Sequence, residues 1–336
     1  MFFGLILLLL VAGGLLFMGR GAKKHLEPLA EVELGFDPEA MAFVQNRLLT
    51  WDGDILRAYD DKGKEVHRAD FAMQGLLCTL RKDGAYLYDQ DLKKLLVYDG
   101  NCKEVGQYPL DGELYDIKGQ TPTLHIKGEG FEQLATLDAS RGVQSFFQTE
   151  NFILSWEVDA KGEGVVSELS TSAGGYKTTL YLLGGDGRKI DFPSEVAMGI
   201  WSQKNRALVL TEKTLKSVGE EVEEISVPLS QAAVKTKEGV ALFHSGVLTF
   251  YDEKLREKKS EILPAHVERL LGEDNRLIAI GPGDVVWDLG GRHESLLRLG
   301  SRMDFVDLSK DRLAAIRDRT LYVFGLADGE ETGGAS

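Results

Sequence analysis

Short runs of apolar and β-branched residues alternate with turn residues through residues 275–299, NRLIAIGPGDVVWDLGGRHESLLRL. The runs at 277–280, 285–289 and 295–299 are separated by Gly-Pro-Gly and Gly-Gly-Arg. Apolar runs of this length between glycine- and proline-rich turns are typical of β-strands joined as hairpins. The segment therefore predicts three consecutive antiparallel strands.

The same pattern returns along most of the chain, for example at residues 46–66 and 83–105. One residue near the end of the middle strand marks each copy: Tyr59, Tyr98, Leu137, Leu183, Val218, Tyr251, Asp288 and Phe324. The copies recur at roughly 40 residues, the period of β-propellers with four strands per blade. The fold class is therefore all-β, a β-propeller of eight four-stranded blades, or of seven if blades three and four share strands.

The two ends of the repeat region are incomplete in complementary ways. Residues 30–35, AEVELG, form a lone strand before the first full copy, and the last copy ends at Phe324 without a fourth strand. An open ring would expose two sheet edges, so the N-terminal strand is expected to pair with residues 321–324. The predicted domains are an anchor at 1–20, a linker at 21–29, the propeller at 30–326 and a disordered tail at 327–336.

Residues 2–18, FFGLILLLLVAGGLLFM, carry no charged side chain. As a helix they would span about 25 Å, at the short end of what crosses a bilayer. The sequence predicts a single-pass anchor in the cell membrane, with a cleaved signal peptide as the alternative. Arg20, Lys23 and Lys24 follow this segment, and the positive-inside rule would place the propeller in the cytoplasm.

The formal net charge of −14 argues against a nucleic-acid partner, because such binding depends on neutralising phosphates with Lys and Arg. Cys78 and Cys102 are expected to be free thiols, since the predicted strands hold them too far apart for a disulfide. The six histidines lack zinc-ligand spacing. Asp60 belongs to a hairpin turn, and the calcium-loop pattern fails nearby. Neither a metal nor a cofactor is predicted.

Carboxylates recur where the innermost strands of the blades begin. Strand beginnings at one end of a propeller surround the central axis, so these side chains would form a negatively charged funnel. The funnel would bind a divalent cation or a peptide rich in Lys and Arg. The alternative is that they are ordinary solvated loop acids or caps of loop amides. The candidate residues are Glu39, Glu113, Glu150, Glu195, Glu268 and Asp304.

Hairpin units such as LLVYDGNCKEV at 95–105 and LTFYDEKLREKK at 248–259 resemble the blades of quinoprotein-like and WD-repeat-like propellers. With the apolar N-terminal segment, the chain resembles a bacterial family of membrane-anchored propellers known as a domain of unknown function. The likeness covers residues 30–326 and implies a propeller outside the cytoplasmic membrane, against the charge rule. The quinoprotein docking motif and the complete Gly-His and Trp-Asp signature of WD repeats are missing.

Two functions follow as hypotheses. The first is a membrane-tethered scaffold that binds a protein, a peptide or a component of the cell envelope. The second is an extracytoplasmic hydrolase or lyase that uses carboxylates at the channel mouth, although the sequence contains no recognisable set of acid, base and nucleophile. Fold analogy alone does not choose between them.

Overall fold

The computed structural model describes residues 26–72, 75–119, 121–138, 140–159, 161–172, 174–184, 187–203, 206–263, 267–273, 276–281, 286–288, 295–297 and 302–326. Every regular element in these ranges is a β-strand, and the strands form eight separate four-stranded sheets. No helix within them has the length and apolarity needed to cross a membrane. The predicted anchor at 1–20 and the predicted tail at 327–336 lie outside the described residues.

We number the sheets as blades 1 to 8 in the order of their innermost strands. Strand β1 (Leu26–Glu33) precedes them all. Blades 1 to 4 then consist of β2 (Ala40–Val44), β3 (Arg47–Trp51), β4 (Ile55–Tyr59), β5 (Glu65–Asp70); β6 (Leu76–Arg81), β7 (Gly84–Asp89), β8 (Lys94–Tyr98), β9 (Glu104–Pro109); β10 (Glu113–Lys118), β11 (Thr123–Gly128), β12 (Phe131–Asp138), β13 (Gly142–Thr149); β14 (Phe152–Val158), β15 (Gly164–Ser172), β16 (Gly175–Leu183) and β17 (Arg188–Pro193).

Blades 5 to 8 follow the same plan. Their strands are β18 (Gly199–Gln203), β19 (Arg206–Leu210), β20 (Thr214–Val218), β21 (Val222–Ser226); β22 (Ala232–Lys235), β23 (Gly239–His244), β24 (Val247–Asp252), β25 (Glu257–Ile262); β26 (Arg269–Glu273), β27 (Arg276–Ile280), β28 (Val286–Asp288), β29 (Ser295–Leu297); and β30 (Phe305–Leu308), β31 (Arg312–Arg317), β32 (Thr320–Leu326) with β1 as the fourth strand.

The repeat register predicted from the sequence matches these sheets. Each landmark residue, from Tyr59 to Phe324, lies in the third strand of its blade. Blades 3 and 4, the least regular copies in sequence, are two complete sheets that share no strand. In blade 4 the two middle strands are longer, since β15 and β16 each contain 9 residues, and in blade 3 β12 contains 8.

Ring closure occurs as predicted, because β1 pairs antiparallel with β32. Val32 lies opposite Leu321, and Ala30 opposite Val323. The strand begins at Leu26 rather than residue 30, so residues 26–29, predicted to belong to a linker, are part of it. Pro28 is tolerated because β1 is an outermost strand, where a missing N–H costs no ladder bond. The register shifts between Pro28 and Ala30.

The core lies between blades. Eight clusters of buried apolar side chains each join two consecutive blades. One of them packs Met41 and Phe43 of blade 1 against Ile316 and Val323 of blade 8. Alternating strand residues face opposite neighbours, so each blade contributes to two clusters. The ring therefore has no terminal blade with an uncovered face among the described residues.

Removing β1 should prevent cooperative folding. Deletion of residues 21–35 leaves the edge of β32 unpaired and uncovers part of the cluster between blades 8 and 1, which favours aggregation. We expect loss of the cooperative thermal transition and a high-molecular-weight peak in size-exclusion chromatography. Deletion of residues 331–336 is the matched control and should leave the melting temperature unchanged. An unaltered melting temperature in the 21–35 deletion would contradict closure by β1.

Candidate functional site

The first strands of the blades lie closest to the axis, since first strands of several neighbouring blades contact one another, as β2 does with β6 and with β30. They all begin at the same end of the ring. We call this end the mouth face. It consists of the loops that enter each first strand and the turns between second and third strands. The opposite face carries the turns between first and second strands and between third and fourth strands.

Repeated rigid turns dominate the described part of the opposite face. In four of them one aspartate Oδ1 accepts the backbone N–H groups of the second and fourth residues that follow, at 2.8–3.0 Å. The capping residues are Asp60, Asp99, Asp159 and Asp252. The prediction that Asp60 belongs to a hairpin turn is thus confirmed. These carboxylates are committed to backbone amides, which stabilises the turns.

Three of the candidate carboxylates occupy equivalent positions on the mouth face. Glu39, Glu268 and Asp304 each immediately precede a first strand. Their backbone N–H groups donate to carbonyls at the end of the second strand, at 2.7, 2.8 and 2.9 Å. All three side chains are exposed, and Glu268 Oε2 lies 3.7 Å from Nη2 of the exposed Arg302. They belong to blades 1, 7 and 8, which are consecutive in the ring. We call this set the acidic arc.

The other three candidates do not share this position. Glu113 lies within β10, where it pairs across the sheet with Lys127. Glu150 is exposed in the loop before blade 4. Glu195 Oε1 lies 3.2 Å from the Nζ atom of Lys216, so its charge is already compensated. The positions equivalent to the acidic arc in blades 2 to 6 hold Gly75, Gly112, Asn151, Met198 and Gln231. The six carboxylates therefore do not share one register, although Glu113 and Glu150 are also exposed near the beginnings of first strands. A negatively charged funnel stays a prediction.

Exposed apolar side chains occupy the rest of the mouth. Of the large hydrophobic residues that are exposed, Leu29, Val105 and Val222 lie on outermost strands. Ile262 is the last residue of the outermost strand β25, at the mouth end. The others are on the mouth face: Leu77, Leu92, Tyr115, Phe152, Tyr176, Met198 and Leu229. A concentration of exposed apolar groups on one face is a feature of interaction surfaces.

Five of these residues lie at or just before the first strands of blades 2 to 6. They are Leu77, Tyr115, Phe152, Met198 and Leu229. We call this set the apolar arc. It lies opposite the acidic arc in the order of blades, and exposed carboxylates also occur within it, at Glu113 of blade 3 and Glu150 before blade 4. Sequence reasoning missed the apolar arc. Its only signal was an apolar residue in loops otherwise rich in Gly, Ser and Asp.

A depression of about 640 Å³ opens where blade 8 meets blade 1. Asp37, Asp304, Asp318 and Arg319 are among the residues that line it. The guanidinium of Arg319 contacts both carboxylate oxygens of Asp37. Asp304 Oδ2 accepts the backbone N–H of Asp318 at 3.3 Å. The acidic arc thus continues into a polar cleft whose charges are partly paired.

Two further carboxylates connect neighbouring first strands inside the ring. Asp307 Oδ2 accepts the backbone N–H of Phe43 at 2.7 Å, which links blade 8 to blade 1. Glu157 Oε2 accepts the backbone N–H of Ser202 at 2.9 Å, which links blade 4 to blade 5. The amino group of Lys235, in blade 6, also contacts Glu157. These bonds satisfy N–H groups at inner strand edges that no further strand covers.

The two cysteines are buried or partly buried among the described residues. Both cysteines are free thiols, as predicted. Burial raises the pKa of Cys102 to about 12 and that of Cys78 further still, so neither forms the reactive thiolate near neutral pH. No cluster of three or more metal-ligating side chains occurs among the described residues.

Comparison with known proteins supports the fold but does not show a family. No protein-family model and no curated protein matches the sequence. Among solved structures, Sqt1 from Saccharomyces cerevisiae matches with a TM-score of 0.60 at 10% identity, over 90% of this chain and 99% of that one. BamB from Moraxella catarrhalis matches with a TM-score of 0.54 at 12% identity, over 89% and 99%. Both are propeller-like proteins, so the likeness supports a β-propeller at this identity and says nothing of function.

The bond between Asp307 and Phe43 generates a pH-dependent prediction. Burial raises the pKa of Asp307, against the lowering effects of the amides of Phe43 and Leu308 and the charge of Lys82. A raised folded-state pKa means that the carboxyl favours folding at low pH, and that this contribution is lost as the pH rises through that pKa. The Asp307→Asn variant keeps an acceptor for Phe43. Its free energy of unfolding, relative to the wild type, should therefore increase from about pH 4 to about pH 7.

Asp307→Ala is the matched comparison, because it leaves the Phe43 amide without its acceptor. We expect it to lower the free energy of unfolding by about 1–3 kcal/mol in urea titrations at both pH values. If Asp307→Asn were as destabilised as Asp307→Ala at about pH 7, the bond would not have the role assigned to it.

Proposed function

We propose that the chain is a binding scaffold whose mouth face takes a protein segment bearing both apolar and basic side chains. The observation that supports this most directly is the distribution of exposed large hydrophobic residues, which are concentrated on the mouth face. Water-exposed apolar groups grouped in this way gain free energy when a partner covers them. The opposite face, with its aspartate-capped turns, offers no comparable apolar surface among the described residues.

Charge defines the second requirement of the partner. The acidic arc places Glu39, Glu268 and Asp304 on three consecutive blades, and the whole chain carries a formal net charge of −14. Negative potential at one side of the mouth attracts Lys and Arg and sets the orientation of the bound segment. The apolar arc then buries the hydrophobic residues of the same segment. An amphipathic, basic segment satisfies both arcs at once.

The proposal includes a membrane tether. Residues 2–18 supply an apolar run long enough to cross a bilayer, and the propeller begins a few residues later at Leu26. A tether this short would keep the ring close to the bilayer surface. We further propose an extracytoplasmic propeller in a single-pass protein of the cell membrane, with a partner in the cell envelope.

Partner recognition is tested with a synthetic amphipathic peptide built from Leu and Lys, titrated against the purified chain by calorimetry at low salt. The triple variant Glu39→Gln, Glu268→Gln, Asp304→Asn should bind about tenfold more weakly, since three surface charge pairs at about 0.2–1 kcal/mol each contribute roughly 0.6–3 kcal/mol together. Raising the salt concentration should weaken wild-type binding and affect the triple variant less.

The matched control removes the same number of charges from the opposite face. Glu220, Glu221 and Glu238 are exposed in its turns, and their replacement by Gln should leave the affinity nearly unchanged. The apolar arc is tested by Leu77→Ser, Met198→Ser and Leu229→Ser together, which should also weaken binding. Equal losses in the control and acidic-arc variants, or no binding by the wild type, would contradict the proposed mouth-face site.

Membrane retention is tested by fractionating cells that express the chain. The protein should stay in the membrane pellet after alkaline carbonate washing and leave it only with detergent, because residues 2–18 would be embedded in lipid. A variant without residues 2–18 should appear in the soluble fraction. Recovery of a soluble protein that begins near Ala22 would instead indicate a cleaved signal peptide. Protease treatment of intact spheroplasts reports the side, since an extracytoplasmic propeller would be accessible.

A further inference from the structure

One lysine on the mouth face lies among groups that commonly hold a bound cation. The Nζ atom of Lys127, in β11, is 5.6 Å from the ring centroid of Tyr115 and 5.7 Å from that of Phe152. It is also 3.4 Å from Oε1 of Glu132. Tyr115 belongs to blade 3 and Phe152 to blade 4, so the ammonium group lies at the junction of two blades.

Glu132 forms the buried floor of this arrangement. The residue is only 6% exposed. Its Oε2 atom accepts the backbone N–H of Ile153 at 2.7 Å and lies 3.0 Å from Nε2 of His125. Burial lowers the pKa of His125, so the imidazole is neutral near pH 7 and donates its Nε2–H. These two bonds fix the carboxylate and direct its other oxygen, Oε1, towards the ammonium group.

The two aromatic rings near Lys127 are open to solvent. Tyr115 is 68% exposed and Phe152 is 54% exposed, unusual values for large aromatic side chains in a domain with well-packed interfaces. The Lys127 side chain itself is 46% exposed. It can therefore rotate away from the two rings without movement of β11. The backbone of β11 is held on both sides by its pairing with β10 and β12.

Aromatic faces around a carboxylate form the usual recognition site for alkylammonium groups, since the ring quadrupoles and the carboxylate all attract the cation. We propose that Tyr115, Phe152 and Glu132 form a binding cage for an alkylammonium group. Lys127 occupies it as an internal ligand that an incoming lysine, methylated lysine or quaternary ammonium group displaces. We call this site the ammonium cage.

Other lysines near aromatic rings have different surroundings. Lys189 lies 4.7 Å from the ring centroid of Tyr181, and Lys118 lies 4.9 Å from that of Trp156. Each has one such ring contact among the described residues. Lys127 combines two exposed rings with a buried carboxylate, and the rings belong to different blades. The ammonium cage is therefore more than a lysine resting on an aromatic side chain.

The cage shares Tyr115 and Phe152 with the apolar arc, and it deepens the proposed function, on which it rests, by assigning a ligand class to that part of the mouth. Alkylammonium binding and peptide capture by the two arcs are measured separately, so either can fail without the other. Tethering gives the Lys127 amino group a high effective concentration at the cage, on the order of millimolar or more. A free ligand must compete with it. Removal of the Lys127 amino group should therefore increase the affinity of the cage for a free alkylammonium ligand.

The test measures choline binding by ligand-observed NMR to the purified 336-residue chain in a nonionic detergent. The neutral carbon analogue 3,3-dimethylbutan-1-ol is titrated in parallel. We expect Lys127→Ala to bind choline about tenfold more tightly than the wild type, because the internal competitor is removed. The neutral analogue should bind neither protein, since it has the shape of choline but lacks the positive charge that the rings and the carboxylate attract. Equal choline affinity in both proteins, or equal binding of the analogue, would overturn the proposal.

Two further variants separate the cage from general effects. Lys189→Ala removes a lysine from a single ring and should bind choline like the wild type. The double variant Lys127→Ala, Phe152→Leu removes one aromatic ring of the cage and leaves Glu132 in place. It should lose the increase in choline affinity that Lys127→Ala shows. Circular dichroism verifies that both are folded. Retention of the full gain in the double variant would also overturn the proposal.

A last arm distinguishes the sources of the ligand. A short peptide with one trimethyl-lysine is titrated beside free choline against both the wild type and Lys127→Ala. Tighter binding of the peptide would assign the cage to a partner's side chain, and tighter binding of choline would assign it to a small quaternary ammonium compound. Both results support the cage, whereas no binding of either ligand to Lys127→Ala would refute it.

Discussion

Pairing between the two ends of the chain is the interaction on which the rest of the structure depends. Strand β1 supplies the fourth strand of the last blade, and the cluster between blades 8 and 1 forms around that junction. Each of the other junctions is similarly covered on both sides. A ring built in this way avoids free sheet faces and buries its edges as far as its four-stranded blades allow.

Closure also determines where chemistry can occur. The faces of the sheets are occupied by neighbouring blades, so the remaining surface consists of the two ends of the ring, the channel and the outermost strands. One end is stabilised by turns in which an aspartate caps two backbone amides, as Asp60 does. The other end carries most of the exposed large apolar side chains among the described residues. The two arcs and the ammonium cage all lie at this second end.

The carboxylates show how position decides role in an acidic protein. Asp307 and Glu157 accept backbone amides of the next blade and help to hold the ring together. Glu132 is fixed by Ile153 and His125 beneath two aromatic rings. Glu39, Glu268 and Asp304 remain exposed at the mouth. The last group faces solvent, where it can attract a basic partner, although Glu268 lies near Arg302 and Asp304 accepts the amide of Asp318. The first group contributes to stability, and Glu132 holds a cation at short range.

The sequence by itself determined the fold class, the repeat and the closing strand. Alternating apolar runs and turn residues depend on local backbone preferences, and their period survives even where Leu137 and Leu183 mark divergent copies. The equivalent positions of Glu39, Glu268 and Asp304 were visible for the same reason, because each lies at a fixed distance before a turn. Only the tertiary structure decided that Glu195 pairs with Lys216 and that Tyr115, Phe152 and Lys127 meet across two blades. Such contacts depend on how neighbouring sheets are rotated and packed, which a period along the chain does not encode.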